Sequence, residues 1–232
     1  MRRIDYIHLL IGGILVSVVL SLTFYYLLSL PSSEDVLLGF VVGFITCVGH
    51  ELLHIFVAQD ICKFKDVEFE LPPFLVLLSF YSILLLFVLI YVKNHYHVVS
   101  TFLPILASPG AVYIARFKSS RCADEVALAG PLYNFFVGVV TLCLLFLTTT
   151  PPFYLNSSNL YISLLSTTSY FSFAMAFFNL LPIKIGCIEF DGYHVLTLDK
   201  YDKLTKLAMF IVVVASFYII YLTGWWRVVI HE

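Results

Sequence analysis

The chain has 232 residues, of which 61% are hydrophobic and only 12% are charged, and its formal net charge is −2. A composition this apolar excludes an ordinary soluble domain, because several stretches exceed the roughly 18 apolar residues that are typical of a membrane helix. The small net charge favours neither a nucleic acid nor an acidic partner. Five scattered cysteines without a CxxC spacing argue against a disulfide framework. We therefore expect one polytopic domain whose surroundings are the lipid bilayer.

Hydropathy predicts a first span at residues 6–30, which is too long for the apolar part of a signal peptide. A second span covers residues 36–58. Residues 63–71 alternate charged and apolar side chains, as a strand does, and two prolines follow. A third span lies at 74–92. The stretch 98–117 is apolar but interrupted by prolines and a glycine, which predicts a broken or extended element rather than a straight helix.

Three further spans are predicted at residues 126–147, 160–181 and 207–222. The predicted fold class is an all-α polytopic membrane protein with about six transmembrane helices. A broken or extended membrane-embedded segment with short strands lies between the second and the fourth clean spans. Residues 1–232 would form a single transmembrane domain with its core at about 36–196, to which the first and last helices are additions.

The second span carries the pattern His-Glu-x-x-His. His50 and His54 are about one helical turn apart, so both imidazoles lie on one face and could hold one tetrahedral zinc ion. Glu51 adjoins the first histidine, where a carboxylate can take a proton from a zinc-activated water. A charged residue in a membrane helix costs about 2.5 to 3.5 kcal/mol, so three ionisable side chains here need a compensating interaction. Two other interpretations stay open, a chance match and a buried hydrogen-bonded relay in a transporter.

Asp191 is the best candidate for a third metal ligand, because it lies just past the end of the 160–181 span. His50 and His54 lie near the exit end of their own helix, and the ligands of one ion must share a depth in the membrane. The chain must therefore cross an odd number of times in between, which requires the interrupted stretch 98–117 to return it across the membrane.

The distribution of basic residues supports the same topology. With that return crossing and the N-terminus inside, all of the 13 Lys and Arg residues except Lys93 and Arg227 fall on the inner side. We therefore expect a multi-pass protein of the cell membrane with a cytoplasmic N-terminus and an active site near the cytoplasmic face.

A second motif lies at the end of the 160–181 span, where Asn179-Leu180-Leu181-Pro182 is followed by Asp191-Gly192. Together with His-Glu-x-x-His, this order of motifs resembles the site-2 protease family of intramembrane zinc metalloproteases. Members of that family carry His-Glu-x-x-His on one helix and Asn-x-x-Pro with a later Asp-Gly on another. The run Ala129-Gly130-Pro131 with Asn134, and the run 109–114, also look like segments of archaeal and bacterial members.

The resemblance implies about six helices around one zinc ion (Zn2+) per chain, held by His50, His54 and Asp191. It also implies that Glu51 activates the water and that Asn179 binds substrate or steadies the site. The activity would be cleavage of the transmembrane segments of membrane-protein substrates. The interval from Asn179 to Asp191, twelve residues, is longer than is common in the family. Nearby residues therefore remain alternative third ligands, namely Cys187, Glu189 and His194.

Two further expectations concern the substrate and the fourth clean span. The extended segments 63–71 and 107–116 could pair with a locally unwound substrate by strand addition. Asn134 is expected to form a hydrogen bond between helices rather than to act in catalysis. The alternative functions are a family member without proteolytic activity and a membrane transporter with a metal or proton relay. The sequence does not indicate an oligomeric state.

Overall fold

The fold is known from a computed structural model, which describes residues 10–15, 17–18, 33–63, 67–70, 111–114, 122–150, 159–182, 184–185, 188–197 and 203–222. These residues are mostly helical, which confirms the predicted helical character. Three helices are long and apolar enough to cross a membrane, at Leu37–Ile61, Glu125–Thr148 and Leu160–Asn179. The predicted span at 74–92 lies outside the described residues, so the count of about six spans stays a prediction.

The helices and strands follow one another in this order. Helix α1 (Ser33–Phe56) continues directly into a π-helical turn (Val57–Ile61) and is followed by strands β1 (Val67–Glu70) and β2 (Ala111–Ile114). Helices α2 (Cys122–Thr148) and α3 (Leu160–Asn179) come next, then the short strands β3 (Lys184–Ile185) and β4 (Ile188–Glu189), and finally helices α4 (Asp191–Thr197) and α5 (Lys203–Leu222). Residues 10–15 and 17–18 are also helical.

Helix α3 forms the centre of the bundle. Buried residues make up 72% of its span, compared with 28% of the α2 span, although both segments are apolar. The α3 helix begins at a side-chain cap, because the Asn159 carboxamide oxygen accepts hydrogen bonds from the backbone N–H groups of Tyr161 and Ile162 at 3.0 and 3.4 Å. It ends before Pro182, which cannot continue a helix. The other helices therefore pack around α3.

Close packing between α2 and α3 depends on a glycine. A Cβ atom at Gly138 would lie 3.1 Å from three atoms of the Phe173 ring, so the glycine lets the ring approach the α2 backbone. The Ser169 hydroxyl donates a hydrogen bond of 2.9 Å to the carbonyl of Gly138, and Phe135 packs edge-on against Phe173 with ring centroids 5.7 Å apart. Small side chains and the hydrogen bond from Ser169 thus help to hold α3 against α2, as is usual for helices in lipid.

Strands β1 and β2 lie within the two segments for which the sequence predicts extended structure. Strands β1 and β2 pair antiparallel, with Val67 opposite Ile114 and Glu70 opposite Ala111. Strands β3 and β4 form a second antiparallel pair that leads directly into α4. A short pair of strands thus precedes Asp191, the residue at which one short helix begins.

One expectation about the cysteines is wrong. Cys62 and Cys122 form a disulfide bond, with their Cα atoms 5.7 Å apart, although the cysteine pattern argued against such a framework. Cys62 follows the π-helical turn and Cys122 begins α2, so the bond joins two segments that are 60 residues apart in sequence. That proximity arises only when α1 and α2 pack together, and no spacing along the chain reveals it. Among the described residues, Cys47 and Cys143 are free.

Candidate metal centre

The two histidines of α1 face each other in the interior of the bundle. His50 and His54 have only 4% and 5% of their surfaces exposed, and their ring centroids are 4.7 Å apart. The two Nε2 atoms lie 3.0 Å from one another. The spacing of four residues places both rings on the inner face of α1, while Leu52 and Phe56 on the outer face are exposed. The helix therefore presents two imidazole nitrogens to one point.

Asp191, the first residue of α4, supplies a third possible ligand atom next to the two imidazoles. Its Oδ2 atom lies 3.4 Å from the Nε2 atom of His50 and 3.5 Å from that of His54. A Cβ atom at Gly192 would overlap the backbone carbonyl group of Leu180, so this glycine allows the start of α4 to pack directly against the end of α3. The Asp-Gly pair thus brings the carboxylate to the histidines.

The three ligand atoms fit a tetrahedral metal ion. Ligands bound at about 2.0–2.1 Å with tetrahedral angles are about 3.3 Å apart, and the observed distances of 3.0, 3.4 and 3.5 Å are close to that value. A point equidistant from the three atoms lies about 1.9 Å from each of them, so an ion slightly outside their plane would meet all three at normal bond lengths. The group formed by His50, His54 and Asp191 could therefore hold a metal.

A glycine of α2 keeps the centre of this group free of side-chain atoms. A Cβ atom at Gly130 would overlap the Nε2 atom of His54, and it would lie 2.5 Å from Nε2 and 2.6 Å from Cε1 of His50. These distances are far below van der Waals contact, so any side chain at position 130 would collide with both imidazoles. The missing side chain of Gly130 thus leaves the volume that an ion held by both imidazoles would need.

Helix α2 also contacts the outward-facing nitrogen of each imidazole. The Nδ1–H group of His54 donates a hydrogen bond of 2.5 Å to the backbone carbonyl of Val126, which leaves the lone pair of its Nε2 atom directed at the site. The Nδ1 atom of His50 lies 2.9 Å from the carboxamide nitrogen of Asn134. Val126, Gly130 and Asn134 are spaced four residues apart, so they form one stripe of α2 that faces both histidines.

The charge state of Asp191 suits a metal ligand. Desolvation alone would raise the pKa of the Asp191 carboxyl group, but the positive charge of a protonated His54 imidazole and the hydrogen bonds with both imidazoles outweigh desolvation, and the pKa lies below its ordinary value. Glu51 is buried on the same turn of α1 as His50, and it is close enough to His54 and Asp191 to interact with their charges. A partly exposed anionic ligand and a buried second acid thus lie close to one another.

The remaining predicted site residues are less closely defined. Asn179 is the last residue of α3 and is partly buried, and its role in substrate binding stays a prediction. Of the alternative third ligands, Cys187 lies outside the described residues, and the side chains of Glu189 and His194 do as well. The contact of Asn134 with His50 and the role of Gly130 are not predicted from the sequence. Their spacing of four residues, continued to Val126, was the signal that could have identified this stripe.

Comparisons of this chain with protein-family models, with curated proteins and with solved structures find no match.

Proposed function

We propose that this chain is an intramembrane zinc metalloprotease of the site-2 protease type, which cleaves transmembrane segments of membrane proteins. The observation that carries the proposal is the group of two imidazole nitrogens and one carboxylate oxygen, 3.0 to 3.5 Å apart and enclosed by apolar helices. A buried acid, Glu51, lies next to the first ligand in sequence. This combination is what metal-assisted hydrolysis of a peptide bond requires.

The donor set favours zinc over calcium and magnesium. Two histidines and a carboxylate form a ligand set of catalytic zinc sites, whereas calcium and magnesium prefer oxygen ligands alone. With His50, His54 and Asp191 as its only protein ligands, a zinc ion held here would be able to accept a substrate or a water molecule as well. When bound, zinc supplies Lewis acidity that polarises a peptide carbonyl and lowers the pKa of water to about 7.

In this proposal Glu51 moves the proton. Its carboxylate takes a proton from the attacking water and returns it to the nitrogen of the leaving amine. His50, His54 and Asp191 are ligands and do not exchange protons during the reaction. Replacing the Glu51 carboxylate with a carboxamide should therefore stop hydrolysis without removing any of the metal ligands.

The substrate must present an extended peptide, because the carbonyls of an intact helix are hydrogen-bonded within the helix. Within the described residues, β1 and β2 form a two-stranded sheet, and β2 contacts α1, the helix that carries both histidines. Each strand of such a sheet has one edge that can pair with another chain. We infer that an unwound substrate segment adds to this sheet and is thereby directed to the metal.

The proposal includes a multi-pass topology with a cytoplasmic N-terminus and a site near the cytoplasmic face, which rests on the distribution of Lys and Arg. The Cys62–Cys122 disulfide argues in the opposite direction, because such bonds are rare in the cytosol. A reporter domain fused after Lys118 and, separately, after Asn156 tests the topology. We expect the two fusions to report opposite sides of the membrane, with the first inside.

The activity is tested by reconstituting the wild type and Glu51→Gln in vesicles with candidate transmembrane substrates. We expect about one zinc per chain in both proteins and cleavage by the wild type alone, with His54→Ala losing both properties. Cleavage by Glu51→Gln would contradict the assigned role of this residue. A wild type that binds zinc but cleaves none of the substrates would favour a family member without proteolytic activity or a metal or proton relay.

A further inference from the structure

Asn134 is a polar residue at a position where burying a polar group costs free energy. It lies within the apolar α2 span, and no part of its surface is exposed. Its carboxamide nitrogen lies 2.9 Å from the Nδ1 atom of His50, and its Oδ1 atom has no hydrogen-bond partner among the described residues. A buried amide of which only one half is satisfied costs free energy, so a functional reason for its presence is expected.

The orientation of this amide decides which nitrogen of His50 carries the proton. If the NH2 group of Asn134 donates to Nδ1, the imidazole proton lies on Nε2, where it points to the Nε2 atom of His54 at 3.0 Å. In that state the Nε2 atom of His50 has no lone pair for a metal. Flipping the Asn134 carboxamide places its Oδ1 atom next to the Nδ1 atom of His50 and leaves the remaining heavy atoms unchanged.

On the basis of the proposed metal site, we propose that Asn134 is a positioning residue that selects the metal-binding tautomer of His50. In the metal-loaded protein its Oδ1 atom accepts a hydrogen bond from the Nδ1–H group of His50, so that the Nε2 lone pair faces the ion. His54 already has the corresponding arrangement, because its Nδ1–H group donates to the carbonyl of Val126. Both ligand imidazoles would then donate to oxygen atoms of α2, eight residues apart on one face.

Two substitutions at position 134 separate the acceptor role from plain packing. Asn134→Asp keeps an acceptor and removes the NH2 donor, whereas Asn134→Leu has a similar size and neither group. We expect Asn134→Leu to bind zinc and Co²⁺ about 10- to 100-fold more weakly than the wild type, and Asn134→Asp to stay within a few-fold of it. Affinity is measured in detergent by competition with a chelator, without any substrate.

Ser169→Ala serves as the matched control. Like the changes at Asn134, it removes a buried hydrogen bond between helices, but this bond joins α3 to α2 and does not involve the histidines. We expect this variant to keep the wild-type metal affinity even if its thermal stability falls. Unchanged affinity in Asn134→Leu would overturn the proposal. An equal loss in Asn134→Asp and Asn134→Leu would overturn it as well, because an acceptor alone would then not be sufficient.

A second measurement does not depend on how any variant folds. In the Co²⁺-loaded wild type, each ligand imidazole with a protonated Nδ1 gives a paramagnetically shifted N–H resonance that exchanges with solvent. We expect two such resonances, one from His50 and one from His54, and a single resonance would overturn the proposal. These outcomes are distinct from failure of the protease assignment, since a wild type that binds metal without cleaving any substrate would refute that assignment alone.

Discussion

Gly130→Ala tests whether the space between the two imidazoles is required for metal binding. The added Cβ would lie 2.5 and 2.6 Å from two atoms of His50 and still closer to the Nε2 atom of His54. Because non-bonded atoms normally stay about 3.5 Å apart, the rings would have to retreat by roughly 1 Å, whereas metal ligation tolerates about 0.2 Å. We expect zinc affinity to fall at least about 100-fold, or about 3 kcal/mol. The assay is chelator competition on the purified protein.

The control for this substitution is Gly138→Ala on the same helix. There the added Cβ meets the ring of Phe173 at 3.1 Å, so the change strains the packing between α2 and α3 but leaves the histidines untouched. It should lower stability by about 1 to 3 kcal/mol, as overpacking usually does, and should preserve metal affinity. Wild-type affinity in Gly130→Ala, or an equal loss of affinity in both variants, would refute the role given to Gly130.

Three further predictions concern the metal, the disulfide and the sheet. Removing the metal with a chelator should lower the midpoint of thermal unfolding, and adding zinc should restore it, because the ion binds only the folded site. Replacing Cys62 and Cys122 with serine should lower the free energy of unfolding by about 4 kcal/mol, since the bond closes a loop of 60 residues. The same change at Cys143 should have little effect. Prolines at Val112 and Ile114 should reduce proteolysis in the vesicle assay while the zinc content stays unchanged, and undiminished cleavage would contradict strand addition.

The sequence predicted the apolar helices well because their signal is local. Residues 126–147 and 160–181 were expected to be spans, and the helices run from Cys122 to Thr148 and from Leu160 to Asn179. Long apolar runs with clear breaks mark such elements without knowledge of their neighbours. The spacing of His50 and His54 belongs to the same class of signal, since a helix alone places both side chains on one face.

Features that depend on contacts between distant segments could not be obtained in this way. The sequence suggested Asp191 as a third ligand, but only the packing of α4 on the end of α3 shows its Oδ2 atom within 3.5 Å of both imidazoles. The Cys62–Cys122 bond, the pairing of β1 with β2 and the space at Gly130 likewise arise from tertiary structure. Asn134 was correctly expected to bond to another helix, but its partner, His50, was not foreseen.

The most direct test of the account is X-ray absorption at the zinc edge of the purified, zinc-loaded protein, because this measurement reports the ligand atoms themselves. With His50, His54 and Asp191 as ligands, we predict a spectrum with the scattering of two imidazole rings and with nitrogen and oxygen ligand atoms at about 2.0–2.1 Å from the zinc. We also predict that Asp191→Ala loses the bound zinc. A sulfur shell at about 2.3 Å, which would indicate Cys187, would contradict this ligand set, and so would a spectrum with fewer than two imidazoles.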